Sequence, residues 1–213
     1  KCIEGIAEIH LVGTERHLEH HLPQLGVQDE WLLKFIKTPE RLGSFLDLPT
    51  PSLDTAKLIE DLKFQTRSFV KWDNRPGNII ISKQGYPKWI DWEHCGVRNA
   101  LDDFAWLLGD EYVPDWIDAE DALNTLENGI NTLEAHSYLM VFGTFHMSQR
   151  LSLILSKKDD GPWWDTSECI TNDRVGVFHV AAKRICSKAS RWAKKNEHTA
   201  PLSAWFEKLS KLI

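Results

Sequence analysis

The stretch that decides the fold is FVKWDNRPGNIIISKQGYPKWIDWEHCG, which runs from residue 69 to residue 96. Within it, Asp73 is followed five residues later by Asn78, and Asp91 comes directly after a second apolar run. Acidic and amide side chains beside apolar strands are typical of a functional site. The sequence therefore predicts a site built from these three residues.

The same stretch predicts a loop followed by a β-hairpin. Pro76 and Gly77 lie in the polar segment before Asn78, and together they interrupt helix and strand alike. The runs NIIIS (78–82) and YPKWI (86–90) have the pattern of two short strands, and KQG between them is a turn-forming tripeptide. We expect Asp91 at the exit of this hairpin.

The rest of the chain has the pattern of helices joined by short loops. We expect a loop over 158–171, and one apolar face along the late helix. Helical spacing and capping residues predict helices over 3–12, 29–46, 52–69, 99–110, 118–129, 131–157 and 172–196, and Pro201 opens a last one. The expected fold class is mainly α (α+β), as a single domain over 1–213.

Bulk properties exclude several classes of protein. Lys and Arg total 25 against 31 for Asp and Glu, and the net charge of -6 disfavours a general nucleic-acid binder. No window of about 18 apolar residues is present, so we expect no membrane span. The four cysteines are scattered without a Cys-x-x-Cys pair, which argues against a zinc knuckle or a redox motif and favours a cytoplasmic protein.

The order of the three polar residues suits phosphoryl transfer. Transfer from ATP needs a carboxylate that orients the attacking hydroxyl and ligands that hold Mg²⁺ across the phosphates. Mg²⁺ prefers hard oxygen ligands and usually takes one or two of them from the protein. Asp73 is placed to supply the first function, and Asn78 and Asp91 the second.

The segment KWDNRPGNIIISKQGYPKWIDWEHCGVRNALDDFAWL, residues 71–107, resembles the catalytic segment of the aminoglycoside phosphotransferase and choline kinase-like group, which shares the protein-kinase fold. That group typically reads His-Gly-Asp, four residues, Asn, a hairpin, Ile-Asp-Trp-Glu, and a helix with Asp-Leu-Ala. The resemblance implies that Asp73 is the catalytic base and that Asn78 and Asp91 bind Mg²⁺ and ATP. It also implies that Asp103 is a buried brace for the loop.

The resemblance further implies a protein-kinase-like large lobe, with a catalytic segment over 69–110 and a helical acceptor-side region over 115–213. Arg75 lies where this group often has His, and a cation there would offset charge on the transferred phosphoryl group. Lys71 and Trp72 replace the usual His and Gly, so the loop is either braced differently or catalytically degraded.

No nucleotide-binding small lobe is recognisable upstream of the catalytic segment. No two glycines lie closer than eight residues, so a Gly-x-Gly-x-x-Gly loop is missing. The first residue is Lys rather than Met. We therefore expect the large lobe of a longer kinase-like protein.

Two further clusters have competing interpretations. Trp163, Trp164 and Asp165 lie between late helices. They form either an aromatic and acidic patch for a hydroxylated acceptor, with or without an amine, or a loop anchored on the surface. His17 and His21 lie one helical turn apart, a spacing that suits zinc, but no third ligand is evident and a solvated face is the simpler interpretation.

The expected function is an ATP- and Mg²⁺-dependent phosphotransferase that acts on a hydroxyl of a small-molecule acceptor. One alternative is a kinase-like pseudoenzyme that serves as a binding or regulatory module. Another is a structural helical interaction domain in which the acidic residues are incidental. The sequence leaves the identity of the acceptor and the oligomeric state open.

Overall fold

Helices and two small antiparallel sheets make up the computed structural model, which describes residues 1–63, 67–117, 119, 123–124 and 133–213. The mainly helical expectation is confirmed. The helices are α1 (Cys2–Glu15), α2 (Asp29–Ile36), α3 (Thr38–Phe45), α4 (Thr55–Leu62), α5 (Leu101–Leu108), α6 (Leu133–Lys158), α7 (Thr166–Thr171), α8 (His179–Ala193) and α9 (Pro201–Leu212). The strands are β1 (Ser68–Val70), β2 (Ile79–Ile81), β3 (Pro87–Trp89) and β4 (Gly96–Arg98).

Helix α6 is the centre of the hydrophobic core. Its residues from Tyr138 to Ser148 are all buried, as expected of a helix that is covered on every side. It packs against α3, α5 and α8, and α8 packs in turn on α9. A side chain at Gly143 would collide with the ring of Trp192, so this glycine allows α8 to approach α6 closely.

The predicted hairpin is confirmed as β2 and β3. Ile79 pairs with Trp89 and Ile81 with Pro87. Gly85 has φ +79 in the connecting turn, a backbone conformation that glycine adopts at low cost. A second sheet, which the sequence did not predict, pairs β1 with β4.

The helix predicted over 52–69 is correct at its start and wrong at its end. Asp54 caps α4 by accepting a hydrogen bond from the Lys57 N–H at 3.1 Å. The helix ends at Leu62, and residues 64–66 lie outside the described part. Phe69 belongs to β1 instead, because pairing with Val97 of β4 buries it, a long-range contact that outweighs local spacing.

Two other local predictions are wrong. The helix predicted over 29–46 is split at Lys37, because Pro39 has no N–H to donate and disfavours helical geometry before it. The loop predicted over 158–171 contains the short helix α7. Asp165 caps that helix through the Glu168 N–H at 2.9 Å.

The remaining helices largely follow the predicted pattern. The helix predicted over 172–196 is wrong at its start, because it begins only at His179, as α8. Helix α8 buries the expected apolar face, and α9 begins at Pro201. The helix predicted over 118–129 falls mostly outside the described residues. Across the described ranges, no helix combines the length and apolarity that a membrane span requires.

Candidate active site

Strand β1 delivers the chain into the candidate catalytic loop, and Asp103 holds the start of that loop. Asp103 lies in the first turn of α5 and is fully buried. Its carboxylate accepts hydrogen bonds from the N–H groups of Lys71 and Trp72, both at 2.8 Å, and lies 2.9 Å from His10 Nε2. Asp103 therefore joins α1, α5 and the loop, as a brace requires.

Asp73 is held in an unusual backbone conformation. Trp72 and Asp73 have φ of 57 and 43, in the left-handed region that side-chain-bearing residues rarely adopt. Such strain costs about 1–3 kcal/mol per residue and persists where surrounding contacts enforce it. Asn78 Nδ2 donates to the Asp73 carbonyl at 2.8 Å and to its carboxylate at 3.0 Å.

The hairpin brings Asp91 next to this loop. The Ile90 N–H donates to the Asn78 carbonyl at 3.0 Å, so Asp91 is the next residue after the one paired with Asn78. Asp91 is exposed and has φ 59. Asn78 and Asp91 therefore lie side by side at the open end of the hairpin, and both have oxygen-bearing side chains.

Lys71 connects the two aspartates. It is fully buried, and its Nζ donates to the Asp91 carbonyl at 2.9 Å and lies 3.5 Å from the Asp73 carbonyl. The ammonium also lies 5.6 Å from the centre of the Trp92 ring, a favourable cation–π distance. Burial lowers the pKa of Lys71, although the nearby aspartates oppose that shift.

The oxygens needed for a metal are available. Asn78 donates through its amide nitrogen to Asp73. Among the described residues, none donates a hydrogen bond to Asn78 Oδ1 or to the Asp91 carboxylate. A carboxylate and an amide oxygen at one edge are hard ligands. The donor set fits Mg²⁺.

Arg75 lies on the other side of Asp73. Its Nε is 3.6 Å from the Asp73 carboxylate, and its Nη1 is 3.6 Å from the Asp173 carboxylate. A side chain at Gly77 would collide with the same Asp173 oxygen, which shows how closely this acid approaches the loop. Sequence reasoning missed Asp173, which lies far along the chain.

A buried acidic pair behind the site was also missed. Arg150 donates to both oxygens of Glu111, at 2.9 and 2.5 Å. Burial and the adjacent Glu111 charge raise the pKa of Asp110 to about 7. Burial alone would raise the pKa of Glu111, but the Arg150 charge and hydrogen bonds lower it. The Glu111 carboxylate also accepts the Gly176 N–H at 3.0 Å and so anchors the segment that carries Asp173.

A signal for that pair was present in the sequence. Asp110 is the last residue of the helix predicted over 99–110 and Glu111 follows it, at the end where the helix dipole disfavours negative charge. Two acids in that place require a cationic partner. The sequence does not reveal that the partner is Arg150, some 39 residues away.

The aromatic and acidic patch has structural contacts. Trp163 is half-buried, with its ring 5.5 Å from that of His179 and 5.4 Å from Lys158 Nζ. The Trp164 N–H donates to the Val177 carbonyl at 2.7 Å. The Asp165 carboxylate caps the N-terminus of α7. These contacts agree with a loop anchored on the surface.

The helical spacing assumed for His17 and His21 is wrong. Helix α1 ends at Glu15, and His17 has φ 53 before a short 3-10 helix over Leu18–His20. The turn brings His20, rather than His21, next to His17, with ring centres 6.0 Å apart.

A groove of about 900 Å³ lies between α1 and the hairpin. Ile9, Val12, Phe69 and Trp89 line it, and it reaches the candidate site only at Trp92, beside Asp91. Asp73 and Asn78 are outside its walls. The groove therefore lies next to the candidate site and does not contain it.

Comparisons with protein-family models, with curated proteins and with solved structures find no match for this chain. The functional interpretation therefore depends on the geometry above and on the resemblance of residues 71–107.

Proposed function

We propose that this chain forms the large lobe of a kinase-like phosphotransferase that moves the γ-phosphoryl group of ATP to a hydroxyl of a small molecule. The observation that carries the proposal is the joint placement of Asp73, Asn78 and Asp91. Asn78 hydrogen-bonds Asp73 directly, and Lys71 Nζ lies between the carbonyls of Asp73 and Asp91. Three residues of the right chemistry thus share one small region.

Asp73 has the features of a base for the acceptor hydroxyl. Its carboxylate is about one-fifth exposed, and one oxygen is oriented by Asn78. In the reaction, the hydroxyl oxygen bonds to the γ-phosphorus while the bond to the β–γ bridging oxygen breaks. The hydroxyl proton passes to the Asp73 carboxylate, and ADP leaves.

Asn78 Oδ1 and the Asp91 carboxylate would hold Mg²⁺ bound to the ATP phosphates. When bound, the ion neutralises charge on the β- and γ-phosphoryl oxygens. Arg75 supplies a fixed positive charge on the opposite side of Asp73, where it would attract the transferred group.

The exposed face of the hairpin suits a nucleobase. Ile80 pairs with Lys88, and Ile90 lies two residues after Lys88, so Ile80 and Ile90 project from the same face. They are 54% and 42% exposed, an unusual amount for isoleucine. An adenine ring packed on this face would lie beside Asn78 and Asp91, which places the phosphates at the metal ligands.

Asp173 favours an acceptor that carries an amine. It is about half exposed and lies beside Arg75 at the loop, where an acceptor hydroxyl must approach Asp73. A carboxylate there would pair with an ammonium group of the acceptor. Trp163, Trp164 and Asp165 precede this segment in the chain and remain a second candidate for acceptor contact.

The test is calorimetric titration of ATP, with and without Mg²⁺, into the full-length gene product. We expect Mg²⁺-dependent binding that Asp91→Ala abolishes. Asp47→Ala is a matched control, because Asp47 is also exposed and has φ 51, but lies in the turn after α3. Asp73→Asn should keep the binding and lose ADP release with hydroxylated acceptors. An active Asp73→Asn enzyme would refute the assignment of the base.

One observation favours the pseudoenzyme as the second candidate. Lys71 replaces the usual His of the group and buries an ammonium beside the carbonyl of Asp91. A cation so close to the ligands opposes binding of a second cation. Nucleotide binding without phosphoryl transfer to any acceptor would favour this alternative. Absence of nucleotide binding, with no effect of Asp91→Ala on stability in Mg²⁺, would favour an interaction domain.

A further inference from the structure

Three potential metal ligands meet where α1 ends. Glu19 Oε1 lies 3.8 Å from His17 Nδ1 and 3.6 Å from His20 Nε2. One ligand atom from each residue lies within 4.8 Å of the other two. In tetrahedral zinc sites with bonds of about 2.0–2.1 Å, ligand atoms are about 3.4 Å apart, so small rotations of the side chains suffice.

The local backbone explains why these residues converge. The His17 N–H donates to the Thr14 carbonyl at 3.1 Å and ends α1, and the His20 N–H donates to the His17 carbonyl at 3.1 Å. His17 is the left-handed N-cap of the 3-10 helix, and this turn leaves the ring centres of His17 and His20 6.0 Å apart. Glu19 lies between them.

A second observation concerns the burial of the Glu19 carboxylate. The Glu19 side chain is only 17% exposed, and its Oε2 is buried without a hydrogen-bond donor from the described residues. A buried carboxylate oxygen without a partner is costly, and most such atoms in proteins are satisfied. Both imidazoles are exposed, at 72% and 71%, so an ion can reach Oε1, the carboxylate oxygen that faces them, from solvent.

We propose that His17, Glu19 and His20 bind a divalent transition-metal ion, with Zn²⁺ as the best fit. Two imidazoles and one carboxylate suit zinc and its neighbours in the first transition series rather than Mg²⁺, which prefers oxygen ligands. Because the two imidazoles are exposed, at least one coordination position of the ion remains open to water. The site is separate from Asp73, Asn78 and Asp91, and the proposal does not depend on phosphoryl transfer.

The site would also act on the fold. The 3-10 helix packs against both α1 and β1, and β1 leads directly into the loop that carries Asp73. Leu18, in the same turn, lines the groove between α1 and the hairpin. A metal bound here would fix the turn and restrain β1, so Zn²⁺ should raise the melting temperature.

The experiment is titration of Zn²⁺ into the full-length protein in excess Mg²⁺, which occupies oxygen-only sites. We expect one site that binds far below millimolar Zn²⁺. His17→Ala, His20→Ala and Glu19→Gln should each weaken it at least about tenfold, the smallest loss that even an outer-sphere partner causes. The control is His21→Ala, which removes an adjacent exposed histidine outside the cluster and should leave binding unchanged.

Co²⁺ gives an independent spectroscopic measurement, because its visible absorption reports ligand number and geometry. Wild-type protein should show the absorption of bound Co²⁺, and Glu19→Gln should change its position. Zn²⁺ affinity only at millimolar concentration, or equal affinity in the wild type and all three ligand variants, would overturn the proposal. So would an equal loss in His21→Ala. Far-ultraviolet circular dichroism of each variant checks that the fold is retained.

Discussion

The acid stability of the protein should depend strongly on one buried histidine, His146 of α6. Burial lowers its pKa from 6.5 to about 3, and Arg150 and Lys188 add to the shift. Between those two values the unfolded chain binds a proton that the folded protein does not, so stability falls as the pH falls. From about pH 7.5 to about pH 5 this costs about 2 kcal/mol.

The perturbation is His146→Leu, which keeps a similar volume against the Trp106 ring, 4.4 Å away. The free energy of unfolding is measured in urea at both pH values. The wild type should lose about 2 kcal/mol more than the variant over this range, while other titrating groups contribute equally to both. His21→Leu is the control, because that side chain is exposed and should follow the wild type. Parallel pH curves for wild type and His146→Leu would show that the reasoning is wrong.

Three further predictions concern the candidate site. Lys71→Met should destabilise the fold by about 1–3 kcal/mol, because the Asp91 carbonyl loses its hydrogen-bond donor. The same change should weaken binding of Mg²⁺·ATP. An unchanged melting temperature and unchanged binding would contradict the bridging role of Lys71. Asp103→Asn should cost about 2–3 kcal/mol in urea unfolding, since one of the acceptors for two loop N–H groups becomes a donor; a neutral result would remove Asp103 as a brace. Asp173→Asn should raise KM for amine-bearing acceptors and leave kcat nearly unchanged, and an equal KM would remove Asp173 from acceptor recognition.

Lys71 is the residue at which the enzyme and pseudoenzyme hypotheses diverge. As a donor to the Asp91 carbonyl and a neighbour of the Asp73 carbonyl, it fixes the loop without an imidazole. As a buried cation, it opposes the metal. Titration of Mg²⁺·ATP into Lys71→His protein compares these effects directly. Weaker binding would favour the bracing role, and tighter binding would favour a degraded metal site.

The sequence by itself determined the elements that depend on local chemistry. A Pro-Gly loop, two apolar runs and a turn tripeptide were enough for the hairpin that carries Asn78 and Asp91. The capping side chain of Asp54 and the ring of Pro201 set the starts of α4 and α9. In each case the decisive contacts lie within a few residues along the chain.

Only the tertiary structure decided features that depend on distant partners. Phe69 became a strand residue because Val97 was available to pair with it. The approach of Asp173 to Arg75 and the pairing of Glu111 with Arg150 join segments separated by many residues. The convergence of His17, Glu19 and His20 is a local exception: it depends on a left-handed residue directly after α1, which helical spacing does not anticipate. Local sequence limits the conformations of a segment, but burial and charge pairing across the chain select among them.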